Sequence, residues 1–489
     1  PAIHFPADFD ALESARRRLK FDEFFYFQLM LANRRHHQKD IEGISFAHVG
    51  EKTRQLLASL PFELTDAQKR VLSEIRVDLK SVRVMNRLLQ GDVGSGKTIV
   101  ALIVMTIAVE NGYQAALMAP TEILAEQHFL TLHHRLERLG IHPVLLTGGL
   151  KKKERETTLA EIASAKAQIV IGTHALIQES VEFSRLGLIV IDEQHRFGVL
   201  QRATLREKGM NPDLLVMTAT PIPRTLSMTV YGDLDVSILN QSPVGRKPII
   251  TSWRPSSGRR KIYEFVRRQA AAGDQAYIVF PLVEESEKSD LKAAIESYEI
   301  MRSTFFKDFS LGLIHGRMTA AEKESIMNAF KAGETHILVS TTVIEVGVDV
   351  PNAAVMVVEH AERFGLTQLH QLRGRVGRGE KQSYCILVAY GALSDKTRQR
   401  LDIMVETTDG FKIAEKDLEL RGPGDYLGTK QSGLPEFVIA DVVYDRELLI
   451  EARAEAFALY EHQSAAARAA EIGMNNYFAK RYYQDAEFS

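Results

Sequence analysis

The sequence has little of what marks secreted, disulfide-stabilised or membrane-spanning proteins. It has a single cysteine, Cys385, which excludes an internal disulfide framework and fits a reducing compartment. The longest apolar run covers only residues 99–109, and crossing a bilayer takes about 20 residues. The first ten residues, PAIHFPADFD, lack the basic and apolar regions of a secretory signal. We therefore predict a cytoplasmic protein with no membrane partner.

Neither sign of charge dominates. The 61 lysines and arginines against 63 aspartates and glutamates give a formal net charge of −2, which excludes a uniformly basic nucleic-acid coat but not a local basic groove. Hydrophobic residues at 45% and charged residues at 25% exclude a fibrous or wholly disordered chain. At roughly 150 residues per domain, the length predicts about three domains.

Short apolar runs alternate with amphipathic stretches in two successive series. Their β-branched and leucine content is typical of parallel strands buried on both faces, and the alternation predicts doubly wound α/β sheets. The runs lie at residues 87–90, 115–120, 143–148, 168–173, 186–192 and 214–220, and then at 249–253, 275–283, 311–316, 336–341, 353–360 and 383–390. Residues 239–248, which contain Pro and Gly, are predicted to link the series.

The pattern predicts two tandem lobes with helical additions at both ends. A helical extension is predicted over residues 1–60, with one long helix from about residue 8 to 38. The first lobe then covers 61–240, the second covers 241–395, and a helical region with a glycine-rich break covers 396–489.

Residues 91–98, GDVGSGKT, match the phosphate-binding pattern G-x-x-x-x-G-K-[ST] between a predicted strand and a predicted helix. Backbone N–H groups of such a loop cradle phosphate oxygens, and the helix adds its positive end. The predicted cofactors are ATP and Mg²⁺, with Lys97 on the β- and γ-phosphates and Thr98 on the metal. The alternative is a fortuitous glycine turn. The expected nucleotide contacts are Gly91, Gly94, Ser95, Gly96, Lys97 and Thr98.

An acidic pair follows another predicted buried strand, in LGLIVIDEQH. Asp192 is predicted to hold Mg²⁺ with Thr98, and Glu193 to polarise the attacking water. A surface acidic turn is the alternative. Upstream, in PFELTDAQKR, the Gln68 amide could read the adenine edge and Phe62 could stack on the base. Thr65 either belongs to this group or N-caps the helix from residue 66, and both roles are compatible.

Two segments of the second lobe carry candidate residues. In QLRGRVGRG (371–379), Arg375 and Arg378 are three apart, which predicts that they share one helix face and reach ATP bound to the first lobe. An arginine supplied this way accelerates hydrolysis by roughly 10³–10⁵. A solvated basic face is the alternative. In STTVIEVGVDVPNA, Gly347 and Asp349 could couple the cleft to nucleic acid, or form only a tight turn.

Taken in order, GDVGSGKT, DEQH, TAT, STTVIEVGVDV and QLRGRVGRG resemble the motif set of superfamily 2 helicases, whose fold is two RecA-like lobes. PTEILAEQH and GTHALI resemble that superfamily's strand-binding segments. The N-terminal ARRRLKFDEFFYFQL and the tail ELRGPGDYLGTKQSG make the chain similar to the RecG family, and the tail also resembles the transcription-repair coupling factor Mfd. The RecG resemblance implies an ATP-driven motor on double-stranded DNA that remodels stalled forks and Holliday junctions in recombination and repair.

The resemblance also implies contacts to DNA phosphates, because a translocase cannot depend on sequence. A monomer is expected, with a single-stranded-DNA-binding protein as a partner. An RNA helicase, an Mfd-like module and a catalytically silent nucleic-acid scaffold are the alternatives. The residues expected to contact DNA or transmit movement are Thr121, Gly149, Thr173, His174, His195, Thr218, Thr220, Gln371, Arg421 and Gln431.

RecG proteins carry an upstream wedge domain that grips the junction, and no segment of this chain resembles it. The chain also begins at Pro1 rather than methionine. We therefore expect the chain to be the motor portion of a longer protein.

Overall fold

The computed structural model describes residues 3–39, 41–193, 204–219, 223, 234–241, 247–281, 287–341, 350–377, 379, 381–421 and 437–461. Two parallel sheets, one in each half of the chain, confirm the predicted α/β class with two lobes. Among the described residues, no helix is both long enough and apolar enough to cross a membrane.

The first lobe is built on seven parallel strands in the order β3-β4-β2-β5-β6-β1-β7. The strands are β1 (Asn86–Gly91), β2 (Gln114–Met118), β3 (Pro143–Leu146), β4 (Ile169–Gly172), β5 (Leu186–Ile191), β6 (Asp213–Thr218) and β7 (Asp235–Leu239). The helices of this half are α1 (Phe9–Lys39), α2 (Glu51–Ala58), α3 (Asp66–Lys80), α4 (Lys97–Glu110), α5 (Glu122–Arg138) and α6 (Lys152–Ala163).

The second lobe is built on six parallel strands in the order β10-β11-β9-β12-β13-β8. The strands are β8 (Ile250–Pro255), β9 (Gln275–Val279), β10 (Leu311–Ile314), β11 (Ile337–Ser340), β12 (Ala353–Val358) and β13 (Tyr384–Ala389). The remaining helices are α7 (Arg259–Ala271), α8 (Glu287–Ile300), α9 (Ala320–Lys331), α10 (Leu366–Arg373), α11 (Asp395–Glu406), α12 (Gly410–Arg421) and α13 (Arg446–Glu461).

Both sheets are covered on both faces. Along β2, Ala115 and Leu117 belong to one buried cluster, whereas Ala116 and Met118 belong to another. Successive side chains of a strand point to opposite faces, so each face of this sheet has its own core. The long apolar run at 99–109 lies within α4, which is buried along nearly its whole length, as a core helix should be. Edge strand β7 was missed because only two of its five residues are buried, which leaves a weak apolar pattern.

The two ends of the described chain pack against each other through α1 and α13. Phe24 on α1 contributes to a buried cluster with Leu449 and Ala452 on α13. The Glu23 carboxylate accepts the backbone N–H groups of residues 438, 439 and 440 at 3.1, 3.0 and 2.9 Å. Lys20 pairs with Asp445 at 2.8 Å, and Arg35 pairs with Asp235 on β7. Helix α1 therefore joins the C-terminal helix to the first lobe.

Replacing Leu449 with alanine is expected to loosen this helix pair selectively. Leu449 is fully buried, and truncation of a buried leucine costs about 2–5 kcal/mol. Hydrogen exchange followed by mass spectrometry should show faster exchange in α1 and α13 and unchanged exchange in β2 and β12. The control is Ile450→Ala at the neighbouring exposed position, which is expected to change stability by no more than about 0.5 kcal/mol. Equal effects of the two variants would contradict the packing described.

Candidate nucleotide-binding site at the lobe interface

The phosphate-binding loop joins β1 to α4. Gly94 and Gly96 have φ angles of 77° and 89°, a left-handed region that favours glycine. The buried Lys97 ammonium lies over the loop and donates to the carbonyl oxygens of Gly91 at 2.8 Å and Asp92 at 3.0 Å. The structure thus brings Lys97 to the concave side of the loop, where the predicted phosphate oxygens would replace these carbonyls as acceptors.

Gln68 connects the start of α3 to the same loop. Its Nε2 donates to the Ser95 carbonyl at 2.9 Å, and its Oε1 accepts the Thr65 N–H at 2.9 Å. Thr65 accepts the Gln68 N–H in return, which confirms the predicted N-cap and completes a capping box. Gln68 is therefore held against the phosphate loop, while its contact with adenine stays a prediction.

Phe62 stands beside an open cavity next to α3. Its side chain is 44% exposed, which leaves a ring face available for stacking. The cavity has a volume of about 610 Å³ and is lined by Leu57, Leu60, Pro61, Phe62, Glu63, Leu64 and Lys69.

The acidic pair lies at the end of β5, two strands away from β1. The Asp192 N–H donates to the Met118 carbonyl at 2.9 Å, and Asp192 Oδ2 lies 2.8 Å from His128 Nε2 on α5. Asp192 Oδ1 accepts the Glu193 N–H at 3.1 Å, and Glu193 has a left-handed φ of 52°. The left-handed backbone at Glu193 turns the chain immediately after Asp192.

The two neighbouring carboxyl groups have pKa values shifted in opposite directions. Burial raises the pKa of Asp192, but the His128 hydrogen bond, the His128 and Lys97 charges and the Glu193 N–H together bring it below the ordinary value. Burial raises the pKa of Glu193, and the Asp192 charge raises it further. The lowered pKa keeps the Asp192 carboxylate ionised. This carboxylate and the Thr98 hydroxyl are oxygen donors of the kind that Mg²⁺ prefers, and their joint binding of Mg²⁺ stays a prediction.

The second lobe reaches the phosphate loop through α10 and the turn that follows it. Asp92 Oδ1 lies 2.6 Å from His370 Nε2, and Gly374 lies against Val93. Burial raises the pKa of Asp92, but interactions with His370, the Val93 N–H and the Lys97 charge together bring the pKa below the ordinary value. The buried Arg375 is close enough for its charge to lower the pKa of Glu193, although other influences prevail there.

The prediction that Arg375 shares a helix face with Arg378 is wrong for Arg375. Helix α10 ends at Arg373, and Gly374 and Arg375 form a turn. Gly377, with a φ of 76°, takes the backbone away from a helical path. The arginine is presented by a turn between two glycines, which lets the backbone approach Val93.

Other predicted residues lie at strand ends of the first lobe. Thr218 ends β6, which lies between β1 and β5, and buried Thr173 follows β4 just before His174. Thr121 N-caps α5, and the exposed Gly149 donates its N–H to Glu122 Oε1 at 3.1 Å. Thr121, Gly149, Thr173 and His174 thus follow strands of the first lobe, and their contact with DNA stays a prediction.

Some predicted residues cannot be placed in this way. Gln371 lies on α10, and Arg421 is the last residue of α12, although its side chain is not among the described parts. The residues that lie outside the described ranges are His195, Thr220, Gly347, Asp349, Arg378 and Gln431.

The sequence-based reasoning missed the side chains that hold the site carboxylates. His128 was within a quoted segment, PTEILAEQH, but its partner Asp192 is 64 residues away. His370 and Asp92 are 278 residues apart and in different lobes. The position of His370 immediately before QLRGRVGRG could have indicated its importance, because it lies on α10, the helix that leads to Arg375.

Replacing Gly96 with alanine is expected to disturb nucleotide binding through Gln68. A Cβ at residue 96 would lie 2.2 Å from Gln68 Nε2, so the amide would have to leave the loop. Gly112→Ala is the matched control, since Gly112 has a φ of 82° and only the Arg185 side chain nearby, at 3.8 Å. Both variants bear left-handed strain of about 1–2 kcal/mol. Only Gly96→Ala should weaken binding of a fluorescent ADP analogue, and equal affinities would contradict this.

Comparison with known proteins identifies the family. The DEAD/DEAH box helicase model matches residues 65–229, and the helicase conserved C-terminal domain model matches 259–380. The model for the C-terminal part of domain 3 of the ATP-dependent DNA helicase RecG matches 407–475. Matches with solved structures below 25% identity, such as S. cerevisiae Dbp5 bound to RNA at 15% identity and a TM-score of 0.54, show the two-lobed RecA-like fold alone.

The relatives with high identity are RecG helicases. The chain is 55% identical to ATP-dependent DNA helicase RecG of Synechocystis sp. over 92% of its own length and 54% of that relative, and 54% identical to RecG of Streptococcus pneumoniae over 92% and 67%. A solved structure of RecG bound to a three-way DNA junction matches at a TM-score of 0.74 and 46% identity, over 92% of this chain and 59% of that one. The chain thus spans about half to two thirds of the length of these relatives. It belongs to the RecG family of ATP-dependent DNA helicases.

Proposed function

We propose that this chain is the motor of a branched-DNA translocase, which uses ATP hydrolysis to move along double-stranded DNA and remodel stalled replication forks and Holliday junctions. The observation that supports this most strongly is the similarity, at 46% identity over 92% of the chain, to RecG bound to a three-way DNA junction. Recombination and DNA repair are the processes that such remodelling serves.

Hydrolysis in this proposal takes place between the phosphate loop and the end of β5. Lys97 exchanges its two carbonyl acceptors for phosphate oxygens, and the backbone N–H groups of the loop bind the remaining oxygens. Thr98 and Asp192 hold Mg²⁺, which neutralises phosphate charge when it is bound. Glu193 accepts a hydrogen bond from the attacking water and orients it in line with the γ-phosphate. His128 keeps Asp192 ionised and oriented.

The second lobe completes the site from the opposite side. Arg375 stands on the turn after α10 and stabilises charge that develops on the transferred phosphoryl group, and we propose the same role for Arg378. Gln68 and Phe62 bind the base. Gly347 and Asp349 link the nucleotide cleft to DNA, and His195, Thr218, Thr220 and Gln371 transmit the state of the γ-phosphate to that contact.

DNA is held chiefly through its phosphates. Thr121, Gly149, Thr173 and His174 lie on loops of the first lobe, and we propose that they bind one strand. Arg421 and Gln431 belong to the tail that converts lobe movement into DNA movement. The protein acts as a monomer at the bacterial nucleoid, with a single-stranded-DNA-binding protein as a partner. An RNA substrate is less favoured. The matched structure of Dbp5 bound to RNA is only 15% identical to this chain, and identity this low supports a shared fold but not a shared substrate.

The DNA dependence of ATP hydrolysis tests this proposal. We expect turnover to be stimulated most by forked DNA, less by linear duplex and single strands, and least by RNA. The stimulation should fall steeply with salt, because log K decreases by about 0.9 per phosphate contact for each unit of log salt. The measurement is steady-state phosphate release with each nucleic acid across a salt series.

Lys97→Ala, prepared in parallel, is the control for contaminating ATPases and should show no turnover. Stimulation by RNA alone would exclude the DNA-translocase proposal. Stimulation by linear duplex that equals stimulation by forks would leave a duplex motor but remove the preference for branched DNA.

Glu193→Gln is expected to retain ATP binding and lose hydrolysis, by about 10²–10⁴-fold for a residue that handles a proton. The wild-type protein should lose activity on the acid side at a pH above that of an ordinary glutamate, because the pKa of Glu193 is raised and a protonated carboxyl cannot take up a proton from the attacking water. The checks are kcat against pH and a binding titration with an ATP analogue. Glu207→Gln, at an exposed glutamate of the same lobe, should match the wild type. Normal turnover in Glu193→Gln would remove its proposed role.

A further inference from the structure

The contact between His370 and Asp92 joins the two lobes at the phosphate loop. His370 is almost fully buried on α10, and its Nε2 lies 2.6 Å from Asp92 Oδ1. Asp92 is also the residue whose carbonyl oxygen accepts from the Lys97 ammonium. A side chain of the second lobe therefore holds a residue that must adjust when Lys97 changes its acceptor.

The other ring nitrogen of His370 fixes the position of the proton. Arg373 Nη2 lies 2.9 Å from His370 Nδ1. A guanidinium can only donate hydrogen bonds, so Nδ1 must be the acceptor, and the ring proton is on Nε2. His370 is thus a neutral imidazole that receives a hydrogen bond from Arg373 and donates one to Asp92. The ring therefore links the Arg373 guanidinium to the Asp92 carboxylate by two hydrogen bonds.

Arg373 carries the connection into the C-terminal helices. It is fully buried, and its Nη1 donates to the carbonyl oxygens of Met404 at 2.8 Å and Thr407 at 2.9 Å, at the end of α11. Thr367 on α10 also donates to Asp417 on α12 at 3.3 Å. A continuous line of hydrogen bonds therefore runs from the phosphate loop, through His370 and Arg373, to the end of α11.

We propose that His370 is a positioning residue that relays the state of the phosphate loop to α11 through its neutral Nε2–H tautomer. The relay rests on the proposed function only in that the loop must bind a nucleotide. The relay requires both hydrogen bonds of the ring. If either bond is lost, His370 no longer connects Asp92 with Arg373. A nucleotide bound at the phosphate loop then favours one of two positions of α11, because its contacts with the loop differ between these positions.

The chain has a built-in reporter of α11. Its only tryptophan, Trp253 on β8, donates its indole N–H to Asp402 of α11 at 2.8 Å. Strand β8 is at the edge of the second sheet, whereas the phosphate loop belongs to the first. A displacement of α11 changes the surroundings of the indole, so Trp253 fluorescence can follow the relay without DNA or hydrolysis.

The experiment compares two variants that each keep one half of the relay. In His370→Gln the amide nitrogen replaces Nε2 and can still donate to Asp92, but no acceptor remains for Arg373. In His370→Asn the amide oxygen replaces Nδ1 and can still accept from Arg373, but nothing reaches Asp92. His134→Gln is the control, because it makes the same substitution at an exposed histidine of α5 outside the relay.

Trp253 emission is recorded as MgADP and a non-hydrolysable ATP analogue are added, and binding is measured separately with a fluorescent ADP analogue. The expected result is an emission change in the wild type and in His134→Gln, and loss of most of that change in both His370 variants at saturating nucleotide. An unchanged signal in either His370 variant overturns the relay, as does a silent Trp253 in a wild type that binds nucleotide. Loss of nucleotide binding in His370→Gln would also overturn it, because His370 would then act on binding itself. A wild type that binds no nucleotide would refute the proposed function first.

Discussion

The parallel pairing of β1, β6 and β5 is the constraint on which the candidate site depends. Parallel strands end at the same edge of a sheet, so the loops after β1 and β5 open to the same side, with Thr218 at the end of β6 between them. The sequence separates Lys97 from Asp192 by nearly a hundred residues, and the sheet returns them to one cleft. The cores on both faces hold these strand ends in place, so the polar groups of the site are carried by a rigid support.

The charged groups gathered there are each stabilised by a specific partner. Removing a charge from water is costly unless it is paired and hydrogen-bonded. Lys97 has two carbonyl oxygens, Asp192 has His128, and Asp92 has His370. Glu193 is the member whose pKa is raised, because burial and the neighbouring Asp192 both oppose its charge. The two carboxyl groups are adjacent in the chain, but their different surroundings lower the pKa of Asp192 and raise the pKa of Glu193.

The fold was largely accessible from the sequence because its signals are local. Each of the twelve predicted apolar runs corresponds to a strand, and the glycine-rich match, the Thr65 cap and the long helix α1 also follow from neighbouring residues. Edge strand β7 was missed because it is only partly buried. The helix face expected for Arg375 was wrong because spacing alone does not show where a helix ends, and Gly374 marks the end of α10.

The site was accessible only in part, since its supporting contacts join distant residues. The pairs His128–Asp192 and His370–Asp92 depend on which helices lie over which strand ends, and one histidine among fifteen carries no such information. The roles assigned to the residues that contact nucleotide and DNA follow from residue type and family resemblance, and they stay predictions.

The contact of Gly374 with Val93 has a mechanical consequence. A methyl group at residue 374 would lie 3.0 Å from the Val93 Cβ, closer than side chains normally approach. The two lobes therefore meet there as backbone against side chain, with a single hydrogen atom as the spacer. The contact therefore sets how closely the lobes approach at this point, and a larger side chain at residue 374 would push Val93 and the phosphate loop away from α10.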